Sequence, residues 1–323
     1  MDNNEIAISV VVPVYNHEKY IKKALYSILK QKVNFRYEVV IGEDCSTDHS
    51  REILKELEKE LPDYFRFFYY EHNMGGSGKG NIDYLHTQMS GKYFCTLEGD
   101  DYWTYENKLQ EQYDFLEAHP EFLAVAHNTK VVDENDEEVL WKYPECKNEE
   151  FLPSDYEKGL MAGQTATLLV RNYYTYPIFD EELEPCKIVG DRRRNFMLFC
   201  NGRVRCIQKQ WSCYRLVLSH GSSFSANAKR MTTEDEFGIY RSFYNYVRNH
   251  DIPKEKYAVI EDQFFYFIFK QVLARRMQPA QFFENYKTAR RKAGVVGYLI
   301  KKTVERPFYT MKKKQTEKAY RNE

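Results

Sequence analysis

The residues Glu98-Gly-Asp-Asp101 place three carboxylates within four positions, directly after the short apolar run Tyr93 to Leu97. Adjacent carboxylates repel each other unless solvent or a cation neutralises them. The pair Asp100 and Asp101 is therefore either a solvated turn, for which this composition is ordinary, or half of a site for a hard divalent cation. The elements that surround the pair decide between these two interpretations.

Two further polar clusters follow apolar runs in the same way. Tyr15-Asn-His17 follows the β-branched run Ile8 to Val14, and Glu43-Asp-Cys-Ser46 follows Tyr37 to Ile41. Each run gives way to apolar residues at helical spacing, and this alternation predicts a mainly parallel sheet covered on both faces. Ligands of such sheets bind at the carboxyl ends of the strands. We therefore expect the three clusters to form one site at one edge of the sheet.

A glycine-rich loop at Asn73 to Asn81 invites a phosphate-binding interpretation. The loop does not match the Walker pattern, because Lys79 is followed by Gly80 rather than by Ser or Thr. It also lacks the last glycine of the dinucleotide fingerprint, whose place Asn81 takes. The loop alone therefore predicts only that the backbone can approach a ligand closely.

Five motifs follow one another along the chain: Val11-Val-Pro-Val-Tyr-Asn16, Glu43-Asp-Cys-Ser-Thr-Asp48, Asn73 with Gly75 and Asn81, Ser90-Gly-Lys-Tyr93, and Glu98-Gly-Asp-Asp-Tyr-Trp103. In this order they resemble the inverting family 2 glycosyltransferases of GT-A fold, of the type that builds bacterial surface polysaccharides. The resemblance covers roughly the first 125 residues. It implies an α/β enzyme that moves one sugar from a nucleotide-sugar donor, with UDP preferred, to a hydroxyl of a saccharide or lipid-linked saccharide acceptor. It implies no nucleic-acid partner.

The resemblance also implies a divalent cation that bridges the diphosphate of the donor. Asp101 would be its protein ligand, and Asp100 would contact the ribose or the metal shell. Mg2+ or Mn2+ suits carboxylate and phosphate oxygens. Such a cation would stabilise the charge on the leaving nucleoside diphosphate.

The remaining donor contacts also follow from the resemblance. Asp44 would hydrogen-bond the base, although Glu43-Asp-Cys-Ser46 departs from the common Asp-Asp-Gly-Ser of the family and leaves the identity of the base open. The other residues expected in the donor site are Pro13, Val14, Tyr15, Asn73, Gly75, Asn81 and Trp103.

A glycosyl transfer with inversion needs a base for the proton of the acceptor hydroxyl. Val189-Gly-Asp-Arg-Arg-Arg194 resembles the segment that supplies it in the family, so Asp191 is the candidate base. An aspartate at a helix start is also an ordinary N-cap. The three arginines either form a solvated face or bind a phosphate.

The segment Trp211-Ser-Cys-Tyr-Arg215 and the following His220 resemble the closing segment of the family. His220 would complete the metal shell or touch the diphosphate, and its alternative is a structural role. The signature Gln-x-x-Arg-Trp of processive members is only approached by Ile207 to Trp211. The addition of single sugars is therefore favoured over polymer synthesis.

Composition places the chain among globular proteins, with 323 residues of which 43% are hydrophobic. The seven cysteines are scattered and form no CxxC pair, which argues against a disulfide framework and a zinc cluster. The chain shows neither a signal sequence nor an apolar run of the ~18 residues that span a bilayer. We therefore expect a cytoplasmic protein.

The chain is expected to divide into a GT-A domain, residues 1–225, and a helical region, residues 226–323. Helices are predicted at Phe237 to Val247, Tyr257 to Leu273 and Phe282 to Ala293. From residue 290 to 323 there are eleven Lys and Arg against three Glu, in a chain whose net charge is -1. This basic end, with its apolar side chains at helical spacing, predicts either peripheral contact with an anionic membrane or a helix that is solvated or bound to a partner.

Two other functions share the predicted nucleotide-binding sheet. A sugar nucleotidyltransferase would carry a glycine-rich, lysine-containing loop after the first strand, where this chain has Pro13 to His17. A catalytically inactive binding module would have lost a carboxylate, whereas Asp44, Asp100, Asp101 and Asp191 are all present. A metal-dependent transferase is therefore favoured.

Overall fold

A computed structural model describes residues 5–74, 79–172, 190–217 and 231–304 of the chain. Its centre is an eight-stranded sheet in the order β3-β2-β1-β4-β7-β6-β8-β5. The strands are β1 (Ile8–Val14), β2 (Tyr37–Glu43), β3 (Phe65–Tyr69), β4 (Tyr93–Thr96), β5 (Tyr102–Trp103), β6 (Phe122–Val132), β7 (Leu169–Arg171) and β8 (Arg203–Arg215).

Helices cover the sheet and extend beyond it on the C-terminal side. A short 3-10 turn, Thr165–Thr167, precedes β7. The helices are α1 (Ile21–Leu29), α2 (Ser50–Glu60), α3 (Lys79–Gln88), α4 (Lys108–Ala118), α5 (Pro153–Glu157), α6 (Gly190–Asn201), α7 (Thr233–Asn249), α8 (Lys254–Leu273), α9 (Pro279–Tyr286) and α10 (residues 292–304).

The first four strands form the parallel half of the sheet. β1 pairs with β2 on one side and with β4 on the other, and β2 pairs with β3. The continuous apolar sequence of β1 is explained by burial along almost its whole length, because helices pack on both faces of a parallel sheet. The predicted α/β architecture with a mainly parallel sheet is confirmed.

The second half of the sheet contains the antiparallel pairs that bring the site together. β7 lies between β4 and β6 and is antiparallel to both. At the far edge, the two-residue β5 pairs antiparallel with β8, so that Tyr102 lies opposite Cys213 and Trp103 opposite Ser212. This pairing holds the chain that follows the acidic tip against the end of β8.

The C-terminal helices share one apolar cluster with α6 and with the sheet. The cluster joins Phe94 and Ala124 of the sheet to Phe196 of α6 and Phe264 of α8. The predicted boundary between residues 225 and 226 lies outside the described residues.

The helix predicted at Phe282 to Ala293 is two helices in the structure. α9 ends at Tyr286, and α10 begins at residue 292. The carboxylate of Glu261, a buried residue of α8, accepts hydrogen bonds from the backbone N–H groups of Arg290 (2.8 Å) and Arg291 (3.2 Å). These bonds satisfy backbone donors next to the start of α10. The helix is therefore interrupted between α9 and α10, although apolar residues continue at helical spacing.

Within the described ranges, no helix combines the length with the apolar character needed to cross a bilayer.

Candidate active site

The loops after β1 and β2 are tied together by side chains. The Oδ1 atom of Asn16 accepts a hydrogen bond from the N–H of Thr47 (2.8 Å), and the Oγ of Ser46 accepts one from the N–H of Asn16 (3.0 Å). Asn16 and Cys45 both have positive φ, at 58° and 55°. Left-handed backbone of this kind is unusual outside glycine and is held here by the bonds between the loops.

Asp44 lies at the end of β2, where the sequence places the contact to the base. Its Oδ1 accepts a hydrogen bond from the N–H of Met74 (2.7 Å), and its carbonyl oxygen accepts one from the Nδ2 of Asn73 (2.9 Å). Burial and the neighbouring Glu43 raise the pKa of the Asp44 carboxyl. The structure thus brings together two of the residues expected in the donor site.

The other residues expected in the donor site differ in position. Asn81 reaches β2 from α3, and its Nδ2 donates to the carbonyl oxygen of Gly42 (3.0 Å). A Cβ atom on Gly42 would lie 2.2 Å from the Oδ1 of Asn81, so this approach requires glycine. Pro13 and Tyr15 are half-buried, whereas Val14 is buried. Gly75 lies outside the described residues.

Trp103 lies in the core, although the motif places it in the donor site. Its side chain is buried, and its indole N–H donates to the carbonyl oxygen of Ala166 (2.9 Å). The ammonium of Lys108 lies 4.1 Å from the centre of the ring. These contacts hold the Trp103 side chain in the core.

Asp101 is a buried carboxylate with both oxygens engaged. Its Oδ1 accepts a hydrogen bond from the N–H of Arg215 (2.8 Å), and its Oδ2 accepts one from the Nε2 of Gln164 (2.9 Å). Burial, together with the neighbouring Asp100 and Glu98, raises the pKa of Asp101. Asp101 therefore binds the acidic tip to β8 and to the segment before β7.

Asp100 and Glu98 complete the acidic tip. The side chain of Asp100 is 16% exposed, and its Oδ2 lies 3.9 Å from the Nε2 of His17. Burial, followed by the charges of Asp191 and Asp100, raises the pKa of Glu98 to about 8, and Arg194 opposes this shift. The tip thus concentrates carboxylates in a poorly solvated place.

The structure brings Asp191 to the same place from the start of α6. One oxygen of its half-exposed carboxylate accepts hydrogen bonds from the Oγ1 of Thr165 (3.1 Å) and the Nη2 of Arg194 (2.7 Å). The same guanidinium nitrogen donates to Thr165 (2.8 Å). Two groups therefore orient Asp191 while the carboxylate keeps contact with solvent.

Arg215 organises the acidic tip from the end of β8. Its buried guanidinium donates to the carbonyl oxygens of Asp100 (3.0 Å) and Asp133 (2.7 Å) and to the carboxylate of Asp136 (2.6 Å). Motif reasoning placed Arg215 in the closing segment without this role. His220, five residues further, lies outside the described residues.

The donor set at the tip fits a hard divalent cation. Asp100 and Glu98 are both half-buried carboxylates. The pKa of Glu98 is raised first by desolvation and then by the charges of Asp191 and Asp100, which a cation would offset. Within the described residues, no three His, Cys, Asp or Glu side chains are arranged to hold a metal ion by themselves. Phosphate oxygens of a bound nucleotide would have to supply further ligands.

Comparison with known proteins identifies relatives of this chain. An uncharacterized protein of Mycobacterium tuberculosis is 32% identical over 166 residues, which is 51% of this chain and 44% of that protein. The poly(ribitol-phosphate) beta-N-acetylglucosaminyltransferase TarS of Staphylococcus aureus is 36% identical over 112 residues, 34% of this chain and 19% of TarS. The chain thus spans less than half the length of these curated relatives.

A solved structure shares the fold. The crystal structure of residues 1–349 of S. aureus TarS in complex with UDP-GlcNAc superposes with a TM-score of 0.62 at 23% identity, over 82% of this chain and 73% of that one. The family model described as glycosyl transferase family 2 matches residues 9–174 of this chain, more than half of its length. That match covers β1 to β7, including the loops that hold the acidic tip, and the chain therefore belongs to glycosyl transferase family 2.

Proposed function

We propose that this protein transfers a single sugar from a nucleotide-sugar donor, with UDP as the nucleotide, to a saccharide hydroxyl with inversion at the transferred carbon. The convergence of Asp191 with the acidic tip carries this proposal. Asp191 lies ninety residues beyond Asp101 in the chain, yet Gln164 donates a hydrogen bond to Asp101, and its neighbour Thr165 donates one to Asp191. The candidate base and the candidate cation site are thus hydrogen-bonded to two adjacent residues of one segment.

The donor side of the proposal uses the loops after β1 and β2. Asp44 and Asn73 are held together there by a hydrogen bond. The half-buried Tyr15 follows Val14, whose carbonyl oxygen accepts a hydrogen bond from the N–H of Asp44 (2.9 Å). The S. aureus neighbour was solved with UDP-GlcNAc, which supports UDP as the nucleotide. The name of TarS refers to poly(ribitol-phosphate), and as part of the proposal we assign this chain to the synthesis of surface glycopolymers.

At the acidic tip, we assign the direct contact with Mg2+ or Mn2+ to Asp100, supported by Glu98. The sequence points to Asp101 for this contact, but both oxygens of Asp101 already accept hydrogen bonds within the fold. Asp101 instead fixes the position of Asp100. The bound cation would supply stabilisation of the negative charge on the leaving diphosphate.

Asp191 acts as the general base. Its carboxylate takes the proton from the acceptor hydroxyl as the oxygen attacks the anomeric carbon and the bond to the nucleoside diphosphate breaks. Among the described residues, Arg194 and Thr165 bond the same oxygen of Asp191, and we assign the other oxygen to the acceptor. A single displacement of this kind inverts the anomeric configuration.

The test is incubation of the protein with Mn2+ and a panel of nucleotide sugars, followed by measurement of nucleoside diphosphate release. We expect slow hydrolysis of a UDP-sugar by the wild type and loss of release in Asp100→Asn. Asp114→Asn, a change at an exposed carboxylate of α4, is the matched control and should keep full activity. Absence of release and of calorimetric binding for every nucleotide sugar would refute the proposal.

The surroundings of the enzyme also enter the proposal. Residues 290–323 would contact an anionic membrane and thereby bring the site to a lipid-linked acceptor. The cytoplasmic location expected from the sequence stays a prediction.

A further inference from the structure

Three aromatic side chains form a cluster beside the acidic tip. The ring centres of Trp141 and Tyr143 are 6.1 Å apart, those of Tyr143 and Tyr214 are 5.8 Å apart, and those of Trp141 and Tyr214 are 6.5 Å apart. Tyr143 is buried at the base of the cluster, whereas Trp141 and Tyr214 are half-buried. We refer to these three side chains as the aromatic platform.

Two continuous segments connect the aromatic platform to the reacting groups. Tyr214 is followed directly by Arg215, whose backbone N–H donates to Asp101. Met161 packs on the same apolar cluster as Trp141 and Tyr214, and Thr165, four residues later, bonds the candidate base. Four residues span at most about 14 Å, so the platform lies within a few sugar-ring widths of the site of transfer.

The electrostatics of Tyr143 support the same location. Its pKa is raised, first by burial and then by the charge of Asp191, while Arg194 opposes the shift. The phenol therefore lies close enough to the candidate base and its arginine to respond to their charges.

The partial exposure of Trp141 separates it from the other tryptophans. Trp103 and Trp211 are 5% and 6% exposed and belong to the interior, whereas Trp141 is half-buried and follows Leu140, which is 70% exposed. An aromatic side chain at the edge of a reaction site is suited to contact a ligand.

We propose that the aromatic platform is the acceptor subsite and that a pyranose ring of the acceptor saccharide lies with its C–H face against Trp141 and Tyr214. A pyranose has an apolar face of C–H groups and a rim of hydroxyls. The face matches an aromatic surface, and the rim directs one hydroxyl towards Asp191 and Arg194. This inference rests on the proposed function, which it extends by naming the substrate chemistry that the platform recognises.

The first test is binding, followed through tryptophan emission. The probe is a panel of methyl pyranosides and methyl disaccharides, added to the wild type and to Trp141→Phe. We expect the emission to change in the wild type and to stay constant in Trp141→Phe, which retains Trp103 and Trp211. An emission change that persists unaltered in Trp141→Phe would overturn the proposal.

The second test is kinetic and uses the best acceptor from that panel. Removal of one aromatic contact in Trp141→Ala or Tyr214→Ala should raise the acceptor KM about tenfold or more, while the Kd for UDP stays as in the wild type. Trp141→Phe should restore most of the affinity, because it keeps an aromatic face. Leu140→Ala, a change at the exposed neighbour, is the matched control and should leave the acceptor KM unchanged.

The outcomes separate this inference from the function on which it rests. An unchanged acceptor KM in Trp141→Ala, or an equal loss of UDP affinity, would overturn the platform as an acceptor subsite. A lowered melting temperature in Trp141→Ala that Trp141→Phe does not restore would assign the residue to the core instead. Failure of the wild type to bind or cleave any nucleotide sugar would refute the proposed transferase itself.

Discussion

The adjacent carboxylates Asp100 and Asp101 occupy opposite environments. Asp100 keeps some contact with solvent, whereas Asp101 is 1% exposed and accepts hydrogen bonds from Arg215 and Gln164. A buried acceptor whose partners are fixed is costly to replace. Replacement of each residue by asparagine should therefore have a different effect, on ligand binding for Asp100 and on stability for Asp101.

We expect Asp100→Asn to abolish Mn2+-dependent binding of UDP without a change in melting temperature. Asp101→Asn should instead lower the free energy of unfolding by about 1 to 3 kcal/mol, because its amide cannot accept from both donors. Calorimetric titration of UDP and thermal unfolding measure the two effects. Loss of UDP binding in Asp101→Asn at an unchanged melting temperature would return the role of metal ligand to Asp101.

Asp191 is the residue whose removal should separate chemistry from binding. Asp191→Asn keeps the size of the side chain but cannot accept the proton of the acceptor. We expect turnover to fall by roughly 10²- to 10⁴-fold, as is usual for loss of a general base, while the donor affinity remains. Initial rates and UDP titration test this, and a collapse of donor affinity would make Asp191 a binding or structural residue.

Polar residues at the ends of strands and helices could be predicted because their types and positions carry a local signal. Asp44, Asp100 and Asp191 belong to this class. Gln164 and Thr165 could not be predicted, since each is a neutral polar residue whose partners are distant in sequence. Trp103 shows the opposite difficulty, because a sequence motif does not distinguish an aromatic side chain that lines a site from one that is buried in the core.

The segment that carries Tyr143 is attached to β6 through a buried glutamate. The carboxylate of Glu145 accepts a hydrogen bond from the N–H of Thr129 (2.5 Å). Burial raises the pKa of Glu145 to about 7, and the bond from Thr129 opposes the shift. The attachment of this segment is therefore sensitive to pH.

The sign of that sensitivity follows from proton binding. Between the ordinary pKa of glutamate and about 7, the folded protein holds a proton on Glu145 that the unfolded chain has lost. The contribution of Glu145 to stability is therefore complete below about pH 4.5 and is lost as the pH rises through 7. Glu145→Gln should be more stable than the wild type at pH 8, by roughly 1 to 3 kcal/mol, and nearly equal to it at pH 4.5. Chemical unfolding at both pH values measures this, and a difference independent of pH would contradict it.

The parallel half of the sheet was predictable because each strand and helix carries its own apolar period. The antiparallel pairing of β5 with β8 was not, since two residues give no period and the partner lies about a hundred residues away. The break between α9 and α10 also escaped prediction, because its cause is the distant Glu261. Both features depend on contacts between residues that are far apart in sequence.

The C-terminal helices present an apolar groove next to exposed aliphatic side chains. The groove has a volume of about 370 Å3 and lies between α8, α9 and α10. On α10, Val295 and Leu299 are buried in the core cluster, whereas Val296, Ile300 and Val304 are 45%, 62% and 70% exposed. The apolar residues that recur at helical spacing in this segment therefore lie on two faces of α10. One face packs on the protein, and the other points outwards.

Exposed basic residues accompany the outward face. Lys301 is exposed on α10, and further exposed cations lie on or near α8, α9 and the start of α10. Exposed aliphatic side chains among cations match a surface with anionic headgroups and an apolar interior. These further cations are Lys270, Arg275, Arg276, Lys287, Arg290 and Lys292.

This arrangement decides how membrane contact should be tested. Deletion of the whole end would remove Val295 and Leu299 from the core and lower stability whether or not a membrane binds. The double change Ile300→Ser and Val304→Ser alters only exposed side chains. We expect it to reduce binding to phosphatidylglycerol vesicles several-fold, because one apolar contribution is lost. The melting temperature and the turnover of a water-soluble acceptor should stay unchanged.

Higher salt should weaken wild-type binding by screening the lysines and arginines. Leu152→Ser, a change at an exposed apolar residue outside these helices, is the matched control and should bind vesicles as the wild type does. Equal vesicle binding by the wild type and the double variant would end the membrane assignment, and a lowered melting temperature would place the outward face against another part of the protein.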